Sequence, residues 1–264
     1  MNKKKERHIL GLSGGKDSAA LAVYMKEKHP ELDLEYVFTD SGHELPETYL
    51  YLKKIRALLN IKIITIRPEK DFDYWLKYFN GVLPSPNNRW CTRLLKLKPY
   101  DKWLKNNCKD QIVYNYVGIR ADEDREGFRE QSNFFPKYPF VEDGHGLEEI
   151  IKILGDSGLG LPGYYSWRKR SGCFFCFYQK DSEWLGLKKK HRTLFNKACE
   201  YEENHSDNRK YTWREKGFLK KLKKTDLNNY EHESCFNGKN KNLLSETLSS
   251  ILDNSQDINN IIFR

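Results

Sequence analysis

Ser13-Gly14-Gly15-Lys16-Asp17-Ser18 joins an apolar run at residues 8–12 (HILGL) to residues 19–28 (AALAVYMKEK), whose apolar positions recur at helical spacing. The first run reads as a buried strand and the second as a helix, which makes the intervening loop a strand-to-helix corner. Unpaired N–H groups at a helix start, together with the helix dipole, favour an anion. Two glycines let the backbone approach closely, and Lys16 adds positive charge. The corner therefore suits a phosphate group, and with it a nucleotide. The string matches neither GxxxxGK[ST] nor GxGxxG, so the expectations attached to those loops do not apply.

Working outward, residues 34–39 (LEYVFT) form a second strand, 46–59 a helix and 61–66 (IKIITI) a third strand. This βαβαβ order predicts a doubly wound α/β fold. Its sheet is mainly parallel and five-stranded, with right-handed crossovers and helices on both faces. Ligand belongs beyond the C-terminal ends of the strands. Helices are expected at 71–78 and 98–106, with a Pro-containing loop at 81–88 between them. A fourth strand follows at 112–117 and a fifth at 138–141. Beyond residue 142 the alternation gives way to helices such as 147–154 and 192–203. The chain accordingly divides into a nucleotide-binding α/β domain at 1–142, a mostly helical segment at 143–225, and a polar tail at 226–264 with one amphipathic patch at 243–252.

The net charge of +9 over 264 residues, 46 Lys and Arg against 37 Asp and Glu, points to a polyanionic partner. Lysines cluster at Lys188, Lys189 and Lys190, then at Lys216, Lys220, Lys221, Lys223 and Lys224, and predict a basic face. No apolar run approaches the ~18–20 residues needed to span a bilayer, and MNKKKERH lacks the apolar segment of a signal peptide. The expectation is a soluble, cytoplasmic protein with no membrane partner. In that setting six cysteines suit metal ligands, catalytic thiols or buried thiols better than a disulfide framework.

Four further strings carry chemistry. Asp40-Ser41-Gly42-His43-Glu44-Leu45-Pro46-Glu47-Thr48 follows the second strand, at the same sheet edge as the glycine loop. Val117-Gly118-Ile119-Arg120 through Arg125 follows the fourth strand, where two arginines can pair with phosphate or sulfate. Arg89-Trp90-Cys91-Thr92 precedes a helix, and Arg170-Ser171-Gly172-Cys173-Phe174-Phe175-Cys176 adds a CxxC that can bind metal, cycle as a dithiol or do neither. Cys199 reads as a buried thiol within a helix, whereas Cys108 and Cys235 sit in polar surroundings.

SGGKDS resembles the pyrophosphate loop of the ATP pyrophosphatase (PP-loop, adenine nucleotide alpha hydrolase-like) superfamily, whose members cleave ATP between its α and β phosphates and adenylate a substrate. The segment from Asp40 resembles the DTGxxFPET string of the phosphoadenosine phosphosulfate (PAPS) reductase-like family, and the segment from Gly118 resembles that family's GxRxxES/Q…R string. WCT…LK…P with a later RSGCxxC resembles iron–sulfur members of the family and the ATP pyrophosphatases of DNA phosphorothioation systems. The resemblance spans roughly residues 9–203. It implies that Ser13, Gly14, Gly15, Lys16, Asp17 and Ser18 surround pyrophosphate, with Asp40, Gly118, Arg120 and Arg125 completing the ATP pocket. Lys16, Asp17, Asp40 and Arg120 would act in catalysis, with Mg2+. Cys91, Cys173 and Cys176 would hold an iron–sulfur cluster of the [4Fe-4S] kind, Zn2+ being the alternative.

Two departures separate the chain from the reductases. Its phosphate loop is intact, and Glu233-Ser234-Cys235-Phe236 matches the reductase ECGLH nucleophile poorly. Cys91 is also followed by Thr92 rather than by a second cysteine. The resemblance therefore implies an enzyme that adenylates a nucleic-acid acceptor for sulfur transfer, fed by a sulfur donor such as a cysteine desulfurase. Thiol-dependent reduction of PAPS or adenosine phosphosulfate is the first alternative. A non-catalytic nucleotide- or nucleic-acid-binding module with a structural metal is the second.

Overall fold

Strands β1 (Glu6–Leu12), β2 (Leu34–Thr39), β3 (Ile63–Ile66), β4 (Ile112–Tyr116) and β5 (Phe134–Lys137) form one sheet in the order β3-β2-β1-β4-β5. Every neighbouring pair is parallel, as the βαβ alternation predicts. The structure, a computed structural model, describes residues 5–203 and 211–223. Lys224, Cys235 and the patch expected at 243–252 lie outside those residues.

Alternation along the strands sorts side chains to two faces. Ile9, Val37, Ile66, Val113 and Phe134 gather with Tyr100, Trp103 and Leu104 of α5 (Lys98–Asn107). Leu10, Leu12, Tyr36 and Phe38 join the larger core, which includes α1 (Lys16–Lys28), α2 (Pro46–Leu59) and α7 (Leu147–Asp156). Residues 19–25 of α1 are buried without a break, because the helix packs against α7 as well as the sheet. A helix apolar on all sides is a core helix, and each of Leu21, Val23 and Met25 contributes about 1.5–3 kcal/mol by burial. The phosphate corner therefore opens onto one of the most deeply packed elements of the fold.

The structure corrects three expectations. The fifth strand is Phe134–Lys137 rather than 138–141; Pro136 can sit there because β5 is an edge strand, and Pro139 begins the helical turn α6 (Pro139–Glu142). The helix expected from residue 98 begins at Trp90: α4 (Trp90–Thr92) runs through a π turn (Arg93–Leu97) into α5. Pro99 offers no N–H to the helical ladder, and the wider turn, closed by Lys98 N–H on the Arg93 carbonyl, carries the chain past it. Cys108 does not face polar surroundings: it ends α5 and is buried with Ile9, Val37 and Val113.

Beyond the sheet, α3 (Phe72–Tyr78), α8 (Asp181–Lys190), α9 (Arg192–Tyr201) and residues 211–223 enclose an aromatic cluster. Phe72 lies at its centre, with ring centroids 4.1 Å from Phe175, 5.0 Å from Trp90 and 5.0 Å from Tyr201. Lys188 of α8 reaches the Leu222 carbonyl, so the two lysine groups read from the sequence share one region. Arg214 pins the 211–223 segment to α8 through a forked pair with Asp181, at 2.7 and 2.8 Å. That hydrogen bonding holds the Asp181 carboxyl below its usual range. A depressed folded-state pKa gives stability that is fully present above the unfolded value of about 3.9 and is lost as pH falls through the folded value. Acid titration monitored by Trp213 fluorescence should therefore show this segment loosening below about pH 4, and Asp181→Asn should remove that step. Among the described residues, no helix is long and apolar enough to cross a membrane.

Candidate functional site

Strand order reverses between β1 and β4, and the crevice at such a switch point is where ligands bind in open α/β sheets. The loop after β1 and the loop after β4 meet there. Gly14 has a positive φ of +71°, and a Cβ on it would lie 2.5 Å from Thr48 Cγ2. Its carbonyl accepts a hydrogen bond from the Tyr164 hydroxyl at 2.8 Å. Gly15 is the N-cap of α1 and has no side chain to occupy the helix mouth. Ser18 Oγ sits 3.0 Å from Ser13 Oγ, accepts from the Ser13 N–H and donates to the Gly15 carbonyl, so the two serines close the loop from within.

The charges at this mouth are interlocked. Lys16 Nζ lies 2.7 Å from both carboxylate oxygens of Asp17. Arg120 Nη1 reaches Asp17 Oδ1 at 3.0 Å, while its other contacts are Asp122 at 2.7 Å and Glu123 at 3.0 Å. Burial works against the Arg120 charge, yet its bonds to Asp122 and Asp17 prevail and raise the guanidinium further above its usual value. Desolvation likewise opposes the Asp122 charge, and Arg120 outweighs it to hold that carboxyl low. Two cations and three carboxylates thus surround the helix start. A phosphate arriving there competes with Asp17 for Lys16 and Arg120.

Gly118 explains how the two loops come so close. A Cβ there would lie 2.9 Å from the Asp17 carbonyl carbon and oxygen and 3.1 Å from the Ser18 nitrogen, all backbone atoms that cannot rotate away. Gly118→Ala should cost about 1–3 kcal/mol of overpacking, measurable by a thermal melt. Arg125, by contrast, is exposed in the same segment and lies toward Tyr138.

Asp40 ends the neighbouring strand as a buried acceptor. Its Oδ1 accepts from the Gly42 N–H and the Tyr49 hydroxyl, both at 2.8 Å, and its Oδ2 meets Arg67 Nε at 3.0 Å. His43 turns away from this edge into the aromatic cluster, against Phe72, Phe174 and Phe175.

The cysteines converge on a third feature. Glu44 and Cys173 form an antiparallel bridge, and Phe174 N–H donates to the His43 carbonyl at 2.9 Å. Cys173 Sγ lies 3.2 Å from Ser41 Oγ and 3.8 Å from Glu44 Oε1. The same Glu44 oxygen receives Lys96 Nζ at 2.9 Å from the π turn, while Oε2 is buried without a partner. Lys96 acts electrostatically on Cys91, Cys173 and Cys176, and the thiols act on one another. Desolvation pushes the Cys91 and Cys173 thiols up, and Glu44 adds to this at Cys173. The donor types suit a soft metal group. Among the described residues, however, no group of three or more His, Cys, Asp or Glu side chains is arranged to hold a metal ion. Cys199 is buried in α9, and desolvation pushes its thiol up to about 11.

Residues that the sequence did not single out hold the cysteine loop in place. Arg168 is fully buried and forks onto the Gly172 and Cys173 carbonyls at 3.1 and 3.0 Å. Glu183 ties the two ends of the loop, accepting from Lys169 N–H at 2.7 Å and Lys180 N–H at 2.9 Å. Ser171 then rests against the phosphate loop: a Cβ on Gly15 would lie 2.8 Å from Ser171 Oγ. The cysteine loop and the Ser13–Ser18 corner are thus in contact.

The sequence profile of the phosphoadenosine phosphosulfate reductase domain matches residues 7–140. An uncharacterized protein of Methanocaldococcus jannaschii, MJ0066, is 28% identical over 219 residues, covering 77% of this chain and 44% of its own length. The tRNA-specific 2-thiouridylase MnmA of Ligilactobacillus salivarius is 29% identical over 138 residues, covering 47% and 36%. Among solved structures, the U34-tRNA thiolase NcsA of Methanococcus maripaludis with its [4Fe-4S] cluster superposes with a TM-score of 0.46 at 14% identity, covering 87% of this chain and 82% of that one. The chain spans less than half the length of the two curated relatives. With the matched profile covering the sheet, its phosphate corner and the Arg120 loop, this chain belongs to the phosphoadenosine phosphosulfate reductase domain family of the PP-loop ATP pyrophosphatase superfamily.

Proposed function

We propose that the protein is an ATP pyrophosphatase that adenylates a nucleic-acid acceptor for sulfur transfer. The observation that carries this reading is the contact between the two loops: Ser171, two residues before Cys173, lies against Gly15 of the phosphate corner. Activation and sulfur delivery then take place in one crevice. The relative named as a tRNA-specific 2-thiouridylase supports the class of acceptor.

In this reaction an acceptor oxygen attacks the α-phosphorus of Mg2+-bound ATP, the bond to the β-phosphate oxygen breaks, and pyrophosphate leaves. The α1 N–H groups, Lys16 and Arg120 meet the negative charge that gathers on the leaving group. Asp17 orients both cations and yields them to phosphate. Asp40 holds Gly42, Tyr49 and Arg67 and so shapes the adjoining wall; Gly118 lets the β4 loop close against α1. Hydrosulfide then attacks the adenylated carbon: the C–S bond forms as the C–O bond breaks, and AMP departs with the acceptor oxygen. Cys91, Cys173 and Cys176 would hold a [4Fe-4S] cluster, which when bound supplies a point at which sulfide is held for that step. A cysteine desulfurase would supply the sulfur as a persulfide, and a thiol reductant would release it as hydrosulfide, a disulfide being left behind.

Anaerobically purified protein should contain iron and acid-labile sulfide, and should release pyrophosphate from ATP when RNA or DNA is added. Zero pyrophosphate release from iron-loaded protein with every RNA and DNA tested would overturn the proposal. The family profile itself favours a second reading, reduction of PAPS by thiols. Sulfite formed from PAPS with no pyrophosphate formed from ATP would establish that reading instead.

A further inference from the structure

One exposed tyrosine lies beside two exposed arginines at the rim of the cysteine loop. Tyr178 follows Cys176 by two residues and is 40% exposed. The Arg89 guanidinium lies over its ring at 5.8 Å from the centroid, and the Arg170 guanidinium at 5.5 Å. Arg89 precedes Cys91 by two residues and Arg170 precedes Cys173 by three, so the stack joins the two cysteine-bearing segments. The Phe177 ring, 4.4 Å from Tyr178, extends the aromatic surface.

The supports of this stack are rigid. Trp90, beside Arg89, is buried against Phe72 and Phe79 and donates its indole N–H to the Val82 carbonyl. Arg168 and Glu183 fix the loop that carries Arg170 and Tyr178. Four other arginines are neutralised: Arg7 by Glu35, Arg67 by Asp40, Arg120 by Asp17 and Arg214 by Asp181. Among the described residues, no carboxylate pairs with Arg89 or Arg170. Their segments also lack acids altogether. Residues 74–100 hold Lys77, Arg89, Arg93, Lys96 and Lys98, and residues 157–180 hold Arg168, Lys169, Arg170 and Lys180, with no Asp or Glu in either stretch.

A cationic surface attracts a polyanion. An aromatic ring with guanidinium planes beside it offers stacking to a flat, unpaired base, which duplex bases, already stacked, do not need. We infer that Arg89, Tyr178 and Arg170 form a platform for an unpaired base of a nucleic-acid strand and hold that strand at the mouth of the cysteine loop. The inference rests on the nucleic-acid acceptor reading above and specifies where the strand lies and in what form it is bound.

Fluorescence anisotropy of the full chain tests it, with labelled single-stranded RNA and DNA of one sequence, roughly a dozen nucleotides long, and a duplex of that sequence. Single strands should bind more tightly than the duplex. Tyr178→Ala should weaken single-strand binding by roughly 5- to 150-fold, the range for loss of one stacked base, while Tyr178→Phe retains it. Arg89→Gln combined with Arg170→Gln should reduce the slope of log affinity against log salt by about 1.4, two phosphates at roughly 0.7 each. The stronger of the RNA and DNA arms identifies the strand. Unchanged binding in Tyr178→Ala, with an unchanged thermal melt, overturns the platform and leaves the acceptor reading standing. Equal affinity for duplex and single strand also overturns it. If the parent protein binds none of the three nucleic acids, both the platform and the acceptor reading fall.

Discussion

Lys16→Met should lower ATP-dependent pyrophosphate release by about 10²- to 10³-fold, the usual effect of removing one donor aimed at developing charge in a closed site. Lys16 Nζ sits at the mouth of α1, where it bonds both oxygens of Asp17. Arg120 keeps its own bond to Asp17, so the carboxylate is not abandoned and the loop should keep its shape. Methionine preserves the length and packing of the aliphatic stem. The loss should fall on kcat more than on KM, because negative charge on pyrophosphate is greatest as the α–β bond breaks. Pyrophosphate release in steady state, alongside a thermal melt, gives the measurement. An unchanged kcat would remove Lys16 from the chemistry and move the role to Arg120.

The largest structural effect should come from Arg168→Met. The guanidinium is fully buried and its two forks satisfy the carbonyls of Gly172 and Cys173. Methionine can fill much of the volume but donates to neither oxygen, and each buried acceptor left unsatisfied costs about 1–3 kcal/mol. A destabilisation of about 3 kcal/mol corresponds to a fall of roughly 6–12 °C in Tm for a chain of this size. Arg168→Lys should recover only part of this, since one ammonium cannot reproduce a planar fork. The sharper readout is local: thiols at Cys173 and Cys176 should react faster with a thiol reagent in Arg168→Met, at temperatures well below the melt. Equal thiol reactivity in the two proteins would mean that Arg168 stabilises the core without ordering the cysteine loop.

The elements that the sequence disclosed are those set by local signals. The β1–loop–α1 corner, β2 and α2 declare themselves through an apolar run, two glycines and a Pro at a helix start, all within a few residues. β5 was harder because it is four residues long, lies at the edge and contains Pro136, each of which weakens strand character. Cys108 reads as polar because Asn106, Asn107, Lys109 and Asp110 surround it in sequence, while its own side chain is buried at the helix end. Within the candidate site, Lys16, Asp17, Gly118 and Arg120 come together in the structure. Tyr164 and Arg168 carried no comparable local signal, and Ser171, Lys96 and Glu44 stand inside motif strings that say nothing of their partners. Their roles arise from contacts across tens of residues, as between Lys96 and Glu44, or across 150 residues, as between Tyr164 and Gly14.

The loop from Arg168 to Cys173 is gripped at almost every position. Arg168 holds the carbonyls ahead of it, Ser171 rests on Gly15, and Cys173 bridges to Glu44. Such a segment has no slack. Adding a single residue between Ser171 and Cys173 would force one contact out of register to preserve the other, so this part of the chain can change its side chains far more easily than its length. A nearby surface stretch such as residues 121–130, exposed along most of its course, has no such restriction. Variation among proteins built on this plan should therefore accumulate as insertions after Arg120 and as substitutions, not insertions, before Cys173.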